Sequence, residues 1–423
     1  MPRKRNVDDV LATIPKGSNV LVRVDFNVPM DGDGKITDDS RIVKAVPTIE
    51  TIVKSGNNAI LMSHMGRPKN VQSGEDTDGS QRASLSLKHT IPRLSELTGV
   101  DVKFVDDCIG PKVKEAVEAL PKDGGGILVL ENLRFYKAEE KGGEDFTKDL
   151  ASIADAYVND AFGTAHRPHA SVSGVPGLLP KEKCGVGKLV ASEVAYLDFS
   201  QKKPDEKIAA IIGGSKVSTK LPVIKGLLNQ VDILVLGGGL SYTFSKAKGI
   251  NIGTSLCEDE MVDTAKELLA EAKEKGKTLL LPVDCVAVKS FPSGPMSKDD
   301  TKVFELVEGG GVEGDWMGLD VGPKTSALFK EGLSKATKII FNGPMGVFEI
   351  PPFDDGTKAL VDALEEDTKN GAITVVGGGD SVAALEQFGK TDAVSYVSTG
   401  GGATLELLSG EILPGVAAIS EVE

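Results

Sequence analysis

Arginine and histidine run out less than halfway along this chain. Nine arginines and four histidines occur in 423 residues, and neither type appears after His169. Cysteine is scarce too: Cys108, Cys184, Cys257 and Cys285 lie far apart, with no C-x-x-C. That spacing excludes a disulfide framework or a cysteine-bound zinc, and predicts reduced, mostly buried thiols. No apolar run approaches the roughly 18 residues of a membrane span. The opening MPRKRNVDDV lacks the apolar stretch of a signal peptide and turns acidic too early for a transit peptide. The closing SEVE carries no targeting tripeptide, so the cytosol is the expected location. Nucleotide fingerprints are missing as well. No G-x-x-x-x-G-K-[ST] occurs, and Gly309, Gly311 and Gly314 match G-x-G-x-x-G only ahead of an acidic stretch that opens no helix. H-E-x-x-H, G-x-S-x-G and H-R-D patterns are absent. A net charge of −14 argues against nucleic acid or an anionic membrane as partner.

What is present begins with length. A chain of 423 residues is too long for one core and fits two domains of roughly 200 residues each. Forty-nine glycines exceed the roughly 30 expected at an average usage of about 7%. The basic residues divide by kind, because beyond Arg167 lysine is the only strong base. Arginine offers a planar fork for carboxylate and phosphate, whereas lysine is a mobile point charge. The two halves therefore look built for different ligands.

In the first half, β-rich runs at 19–28, 59–64, 102–105, 126–132 and 155–162 alternate with helical segments at 41–56, 85–99 and 111–121. Such alternation predicts right-handed crossovers and a parallel sheet, with ligands beyond the carboxyl ends of the strands. Residues 66–84 read as polar and flexible, and the acidic loop 69–83 is assigned no role. Segment 186–204, closing with Pro204, reads as a helical inter-domain connector. The second half repeats one unit of apolar strand, three glycines and helix, at 233–244, 372–388 and 394–408, with a shorter relative at 209–220. Glycine at that junction lets backbone approach a ligand, and the helix start offers N–H groups to an anion. Helical 261–277 carries i,i+4 Glu/Lys pairs and reads as a solvated outer face.

Five stretches of the first half combine chemically: RVDFNVP (23–29), Arg41 in DDSR, SHMGRP (63–68), ENLRF (131–135) and NDAFGTAHRPH (159–169). Each sets a base or small polar group just past an apolar strand or in the loop behind it. They offer Arg41, Arg67, Arg134 and Arg167, with His64, His166 and His169, while Asp25 and Asn27 can share hydrogen bonds with a hydroxyl. A small molecule carrying a carboxylate, a phosphate and a hydroxyl suits that set. Arg23 reads as structural, since strand alternation puts it off the loop, and Arg3 and Arg5 as tail charges.

RVDFNVP, SHMGRP, ENLRF, NDAFGTAHR, GGSKVSTK, FNGPMGVFE, GGGDS and STGGGA, in this order from about residue 18 to 415, resemble the phosphoglycerate kinase family. One departure is the serine of GGGDS, where many members carry threonine. The resemblance implies an α/β fold of two domains, each with a parallel doubly wound (Rossmann-like) sheet, joined by a hinge helix. It implies domain limits of 1–185 with a C-terminal return 409–423, connector 186–204, and 205–408. The first domain is then expected to bind 3-phosphoglycerate or 1,3-bisphosphoglycerate through Asp25, Asn27, Arg41, His64, Arg67, Arg134 and Arg167.

The second is expected to bind ATP or ADP through Lys216, Lys220, Gly238, Gly239, Gly318 and Leu319, and through Asn342, Pro344, Glu349, Gly378, Gly379, Asp380 and Ser381. Asp380 would hold Mg2+ bound to the nucleotide phosphates, and Glu349 would contact the ribose. Arg41 and Lys216 would neutralise the migrating phosphoryl group, Lys220 would hold a nucleotide or substrate phosphate, and Gly401 would face the transferring group. The resemblance also implies a monomer, with no nucleic acid or membrane partner. Competing readings are an NAD-linked oxidoreductase, which lacks its fingerprint, and a phosphosugar isomerase or transferase. A non-catalytic scaffold is disfavoured, because both lysines, Arg41 and Asp380 are present.

Overall fold

The computed structural model describes residues 3–197, 199, 202 and 204–422. Four positions of the expected connector (198, 200, 201 and 203) lie outside the described residues, and the helix in that segment spans Lys188–Leu197. The chain divides into two compact units, Met1–Ala195 with Ile412–Glu423, and Tyr196–Glu411.

The first unit is built on six parallel strands in the order Val102–Phe104, Ile127–Val129, Asn58–Met62, Asn19–Val24, Ala156–Asp160, Cys184–Val186. Its central strands read as continuous apolar runs because helices cover both faces of a parallel sheet. Leu21 is flanked in register by Ile60 and Tyr157, all fully buried. Helix Ser40–Lys54 turns Ile42, Ala45, Ile49 and Ile52 inward at three- and four-residue spacing. The crossover from Asn19–Val24 leaves on one side, and the one from Ala156–Asp160 on the other. A crevice therefore opens past Val24 and Asp160. The chain end returns to this unit, where Glu421–Val422 pairs antiparallel with Arg3–Lys4.

The second unit has six parallel strands in the order Thr278–Leu280, Ile233–Leu236, Ile208–Ile212, Lys338–Asn342, Ile373–Val376, Tyr396–Val397. In chain order this is 3-2-1-4-5-6, the arrangement of dinucleotide-binding sheets, whose crevice lies between the first and fourth strands. Those two strands end at Ile212 and Asn342. A separate antiparallel sheet sets Asp284–Val288 between Lys302–Glu305 and Met317–Val321.

The segment expected to be polar and flexible (66–84) instead contains two short helices, Lys69–Ser73 and Ser80–Ser84. Side chains close them: Asp76 accepts from the amides of Gln81 and Arg82 (2.9 and 2.8 Å), and Gln81 Oε1 from that of Asn70 (2.8 Å). Polarity alone does not reveal such local capping. Strand Cys184–Val186 was too short to stand out in the sequence.

Phe341 lies fully buried on a central strand of the second unit, which also holds the chain's single tryptophan, Trp316. Phe341→Ala is expected to destabilise this unit by about 3–5 kcal/mol. Urea unfolding followed by Trp316 fluorescence measures it, and an unchanged midpoint would contradict the packing described.

Candidate active site

In the first unit the crevice gathers the sequence-identified residues around one buried imidazole. Arg41 Nη1 donates to both oxygens of Asp25, at 3.1 and 3.0 Å, and Asp25 Oδ1 also accepts from the Asn27 amide at 3.2 Å. Asn27 Oδ1 accepts from the Gly66 amide at 2.8 Å, and Arg134 Nη1 donates to the Gly66 carbonyl at 2.9 Å. The RVDFN, SHMGR and ENLRF loops are thus tied into one surface. Asn132 completes it, donating to the carbonyls of Met65 (2.7 Å) and Leu85 (2.9 Å).

Arg23 has the structural role that its place on the strand implies. It is wholly buried, donates to Ser171 Oγ at 2.9 Å and to the Val24 carbonyl, and places Nη2 3.2 Å from His64 Nδ1. A guanidinium only donates, so His64 Nδ1 accepts and the ring carries its proton on Nε2. Burial, reinforced by Arg23, Arg134 and Arg41, holds His64 well below the usual histidine range. His169 is pushed down to about 4, by burial first and then by Arg23 and Arg134. Both rings are therefore neutral N–H donors at neutral pH.

Glu139 lies beside this positive cluster; burial raises its pKa, while Arg23 and the Ser171 hydrogen bonds oppose that shift. It is fully buried, accepts from the Ser171 amide (3.0 Å) and hydroxyl (2.5 Å), and lies 3.8 Å from His169 Nδ1. Nothing in KAEEKGGED marks it, since all but one of its residues are charged or glycine. Several donors remain uncommitted. Arg67 and Arg167 are exposed and in no ion pair among the described residues. The buried Arg134 Nε sits 3.6 Å from Glu140 and makes no hydrogen bond.

In the second unit the first- and fourth-strand ends approach backbone to backbone. A Cβ on Gly213 would overlap the carbonyl oxygens of Gly343 and Pro344, so no side chain fits there. Beside this junction lies a cavity of about 620 Å³. Gly238, Gly239, Gly318, Leu319, Pro344, Glu349 and Asp380 line it. Its walls include Leu256, Phe291, Met317, Met345 and Val347, which suit a flat apolar ring. Gly318 is required there, because a Cβ would overlap the Tyr242 hydroxyl.

Asn342, Gly378 and Ser381 form a second cluster at the same strand ends. Lys220 Nζ donates to Asn342 Oδ1 at 2.7 Å, Asn342 Nδ2 to the Gly377 carbonyl at 2.9 Å, and the Gly343 amide to Ser381 Oγ at 2.6 Å. Burial lowers the Lys220 pKa, and the Asp380 charge opposes that shift. Gly379 and Asp380 form the first turn of helix Gly379–Gln387. Lys216 is exposed, directly before helix Val217–Gln230. Gly401, ahead of helix Gly402–Leu408, does not line the cavity; its turn is held by the Gly400 amide donating to Ser398 Oγ at 3.1 Å.

Comparison with known proteins identifies the family. The family description for phosphoglycerate kinase matches residues 8–411. The cytosolic phosphoglycerate kinase of Arabidopsis thaliana is 48% identical over 421 residues, covering 100% of each chain. A chloroplastic phosphoglycerate kinase of the same plant is 48% identical over 418 residues, 99% of this chain and 82% of that one. The solved structure of phosphoglycerate kinase from Coxiella burnetii superimposes with a TM-score of 0.83 at 37% identity, covering 95% of this chain and 96% of that one. This chain belongs to the phosphoglycerate kinase family, phosphotransferases that move a phosphoryl group reversibly between 1,3-bisphosphoglycerate and ADP, giving 3-phosphoglycerate and ATP.

Proposed function

We propose that the arginine-lined crevice of the first unit binds 3-phosphoglycerate or its bisphosphate, and that the glycine rim and cavity of the second bind ADP or ATP. The observation that carries this reading is the set of uncommitted donors, namely exposed Arg67 and Arg167 and the orphaned Arg134 Nε, with Arg134 and Arg41 near a neutral His64. Arginine forks with no internal partner are the groups that a carboxylate and a phosphate would satisfy bidentately. Asp25, Asn27 and the His64 Nε2–H suit the hydroxyl and remaining oxygens. Gly238, Gly239, Gly318, Leu319, Pro344 and Glu349 enclose the base and ribose, and Lys220, Asn342, Gly378, Gly379 and Ser381 meet the phosphates.

The transferring phosphorus breaks its bond to the acyl oxygen as it bonds to the terminal oxygen of ADP, and the carboxylate of 3-phosphoglycerate leaves. An acyl phosphate has a good leaving group, so no general base is needed. Catalysis consists of aligning donor and acceptor and neutralising the three equatorial oxygens. Arg41 and Lys216 supply that positive charge, and the turn at Gly401 faces the moving group with fixed backbone dipoles. Asp380 offers one exposed carboxylate at a helix start, and no cluster of three ligating side chains occurs among the described residues. That fits Mg2+, which commonly takes one or two carboxylates together with substrate phosphates. Bound there, the ion would neutralise phosphate charge.

Water must be kept from the acyl phosphate, so we infer a closing motion with hinges at 186–204 and 400–410. X-ray scattering with and without both ligands tests it, and an unchanged radius of gyration would count against closure. We also read the chain as a cytoplasmic monomer; four unpaired cysteines suit a reducing compartment. Among the described residues no helix is long and apolar enough to cross a membrane.

In an assay of 3-phosphoglycerate with Mg-ATP and detection of ADP, Arg41→Ala and Lys216→Ala are each expected to lower kcat by about 10²–10³-fold. Near-parental rates in either variant would refute its assignment. His64→Ala tests the neutral imidazole. A ring that titrated near its ordinary value would gain charge toward pH 6 and grip anions harder there. Its removal would then cost more at pH 6 than at pH 8. With His64 held neutral, the ratio of variant to parental KM for 3-phosphoglycerate is expected to stay constant between those pH values. A ratio that grows toward pH 6 would mean a charged ring.

A further inference from the structure

The helix carrying Lys220, with Lys216 just ahead of it, spans Val217–Gln230. Its first turn leaves amides without intrahelical partners, and Lys216 at the cap position supplies no capping side chain. A carboxylate from elsewhere in the unit takes that place. Glu258 Oε2 accepts from the Ser218 amide at 2.9 Å, and Oε1 from the Ser218 hydroxyl. Burial disfavours the Glu258 charge, but the Ser218 contacts, the Val217 amide and the nearby Lys216 charge together hold its pKa below the ordinary value.

Glu258 is itself anchored on the helix that follows the neighbouring glycine-rich turn. Its amide donates to Thr243 Oγ1 at 3.2 Å, and the adjacent Asp259 accepts from Lys246 Nζ at 2.7 Å. Thr243 and Lys246 belong to helix Leu240–Ala247, which begins directly after Gly238 and Gly239. The Leu240 amide in turn donates to the Gly214 carbonyl at 2.9 Å. One short segment therefore joins the first turn of helix Val217–Gln230 to the body of helix Leu240–Ala247.

The amides at 217 and 218 are thus already committed to a carboxylate. At this turn, unlike the one at Gly379, a phosphate would be met by lysine side chains and not by the helix start. A lysine is a flexible point charge, so its usefulness depends on where its backbone is held. We propose that Glu258 is a positioning residue for phosphoryl transfer, which clamps the first turn of helix Val217–Gln230 and so directs Lys216 at the migrating group. This rests on the role given above to Lys216.

The test uses the full chain with Glu258→Ala, Glu258→Gln, Ser218→Ala, Lys216→Ala and the double variant Lys216→Ala/Glu258→Ala. A displacement of about 1 Å at a catalytic group can cost on the order of 10²-fold. Glu258→Ala is expected to lower kcat at least tenfold, with KM for Mg-ATP within threefold of the parent. Glu258→Gln keeps an acceptor for the amide and should recover most of the rate, while Ser218→Ala, which loses only the hydroxyl leg, should cost a few-fold. Once Lys216 is gone, removing Glu258 should cost less than twofold. A parental kcat in Glu258→Ala would overturn the proposal. So would the same fold-loss from Glu258→Ala with Lys216 present and absent, since a purely structural cap acts regardless of its neighbour. If Glu258→Ala does not fold, the comparison is made with Ser218→Ala in both backgrounds, and equal losses again overturn it. A slow Lys216→Ala beside a fast Glu258→Ala sinks this inference alone. A fast Lys216→Ala sinks the role of Lys216 and this inference with it.

Discussion

The second unit is organised around a place where two strand ends meet with no room for a side chain. Gly213 follows the first strand of the sheet and Gly343 the fourth, and a Cβ on either would overlap the other's backbone. The strand order opens a crevice there, and glycine lets the two loops converge across it instead of splaying apart. Much of the site follows from that approach. The Gly343 amide is bound by Ser381, which fixes the start of the GGGDS helix against the fourth strand. Asn342 links Lys220 on one side to the Gly377 carbonyl on the other. A larger residue at either glycine would separate these partners together, so the constraint is shared by the whole rim.

In the first unit the corresponding constraint is electrostatic. A wholly buried arginine is costly unless every donor it carries is met. Arg23 meets Ser171, a backbone carbonyl and His64, with buried Glu139 bound to the same Ser171. This arrangement decides the state of His64, because the guanidinium beside Nδ1 both fixes the tautomer and opposes protonation. The state of this imidazole is therefore set by buried neighbours within the unit. Arg134 lies in the same field, and burial already leaves its side chain partly desolvated, which lowers its pKa. Oxyanion contacts to a donor already out of water are stronger than to one that must first shed it.

The sequence carried the fold well where apolar runs were long and fully buried, as at Asn19–Val24 and Asn58–Met62, since both faces of a parallel sheet are covered. It failed at Cys184–Val186, where three residues give no period, and at 69–84, where helices hold through side-chain caps. Asp25 and Asn27 stood out as candidates because they follow an apolar strand, whereas Asn342 and Asp380 were named only through the family resemblance. Glu139, Ser171 and Glu258 did not stand out. Each lies in a stretch whose local chemistry is ordinary, and each acquires its role only from a partner distant in sequence. Arg23 was rightly read as structural, though nothing in its strand marks the contact it makes. Strand alternation correctly aims it away from the loop, but its long side chain reaches back to His64.

A division of labour between the bases follows. Arg41 and Arg134 are held in place by fixed groups, Asp25 for one and the Gly66 carbonyl for the other, and still have donors to spare. A guanidinium can do this because its five N–H groups face two directions at once. A lysine ammonium has one centre, so pairing it directly with a carboxylate would spend the charge that a phosphate needs. The second unit avoids that conflict. Lys220 is held by a neutral amide, Asn342, and the turn bearing Lys216 is held through the backbone and hydroxyl of Ser218, two residues on. Restricting arginine to one half of the chain therefore has a mechanical reading: where the base is lysine, the restraint has to act on its neighbour or come from an uncharged partner.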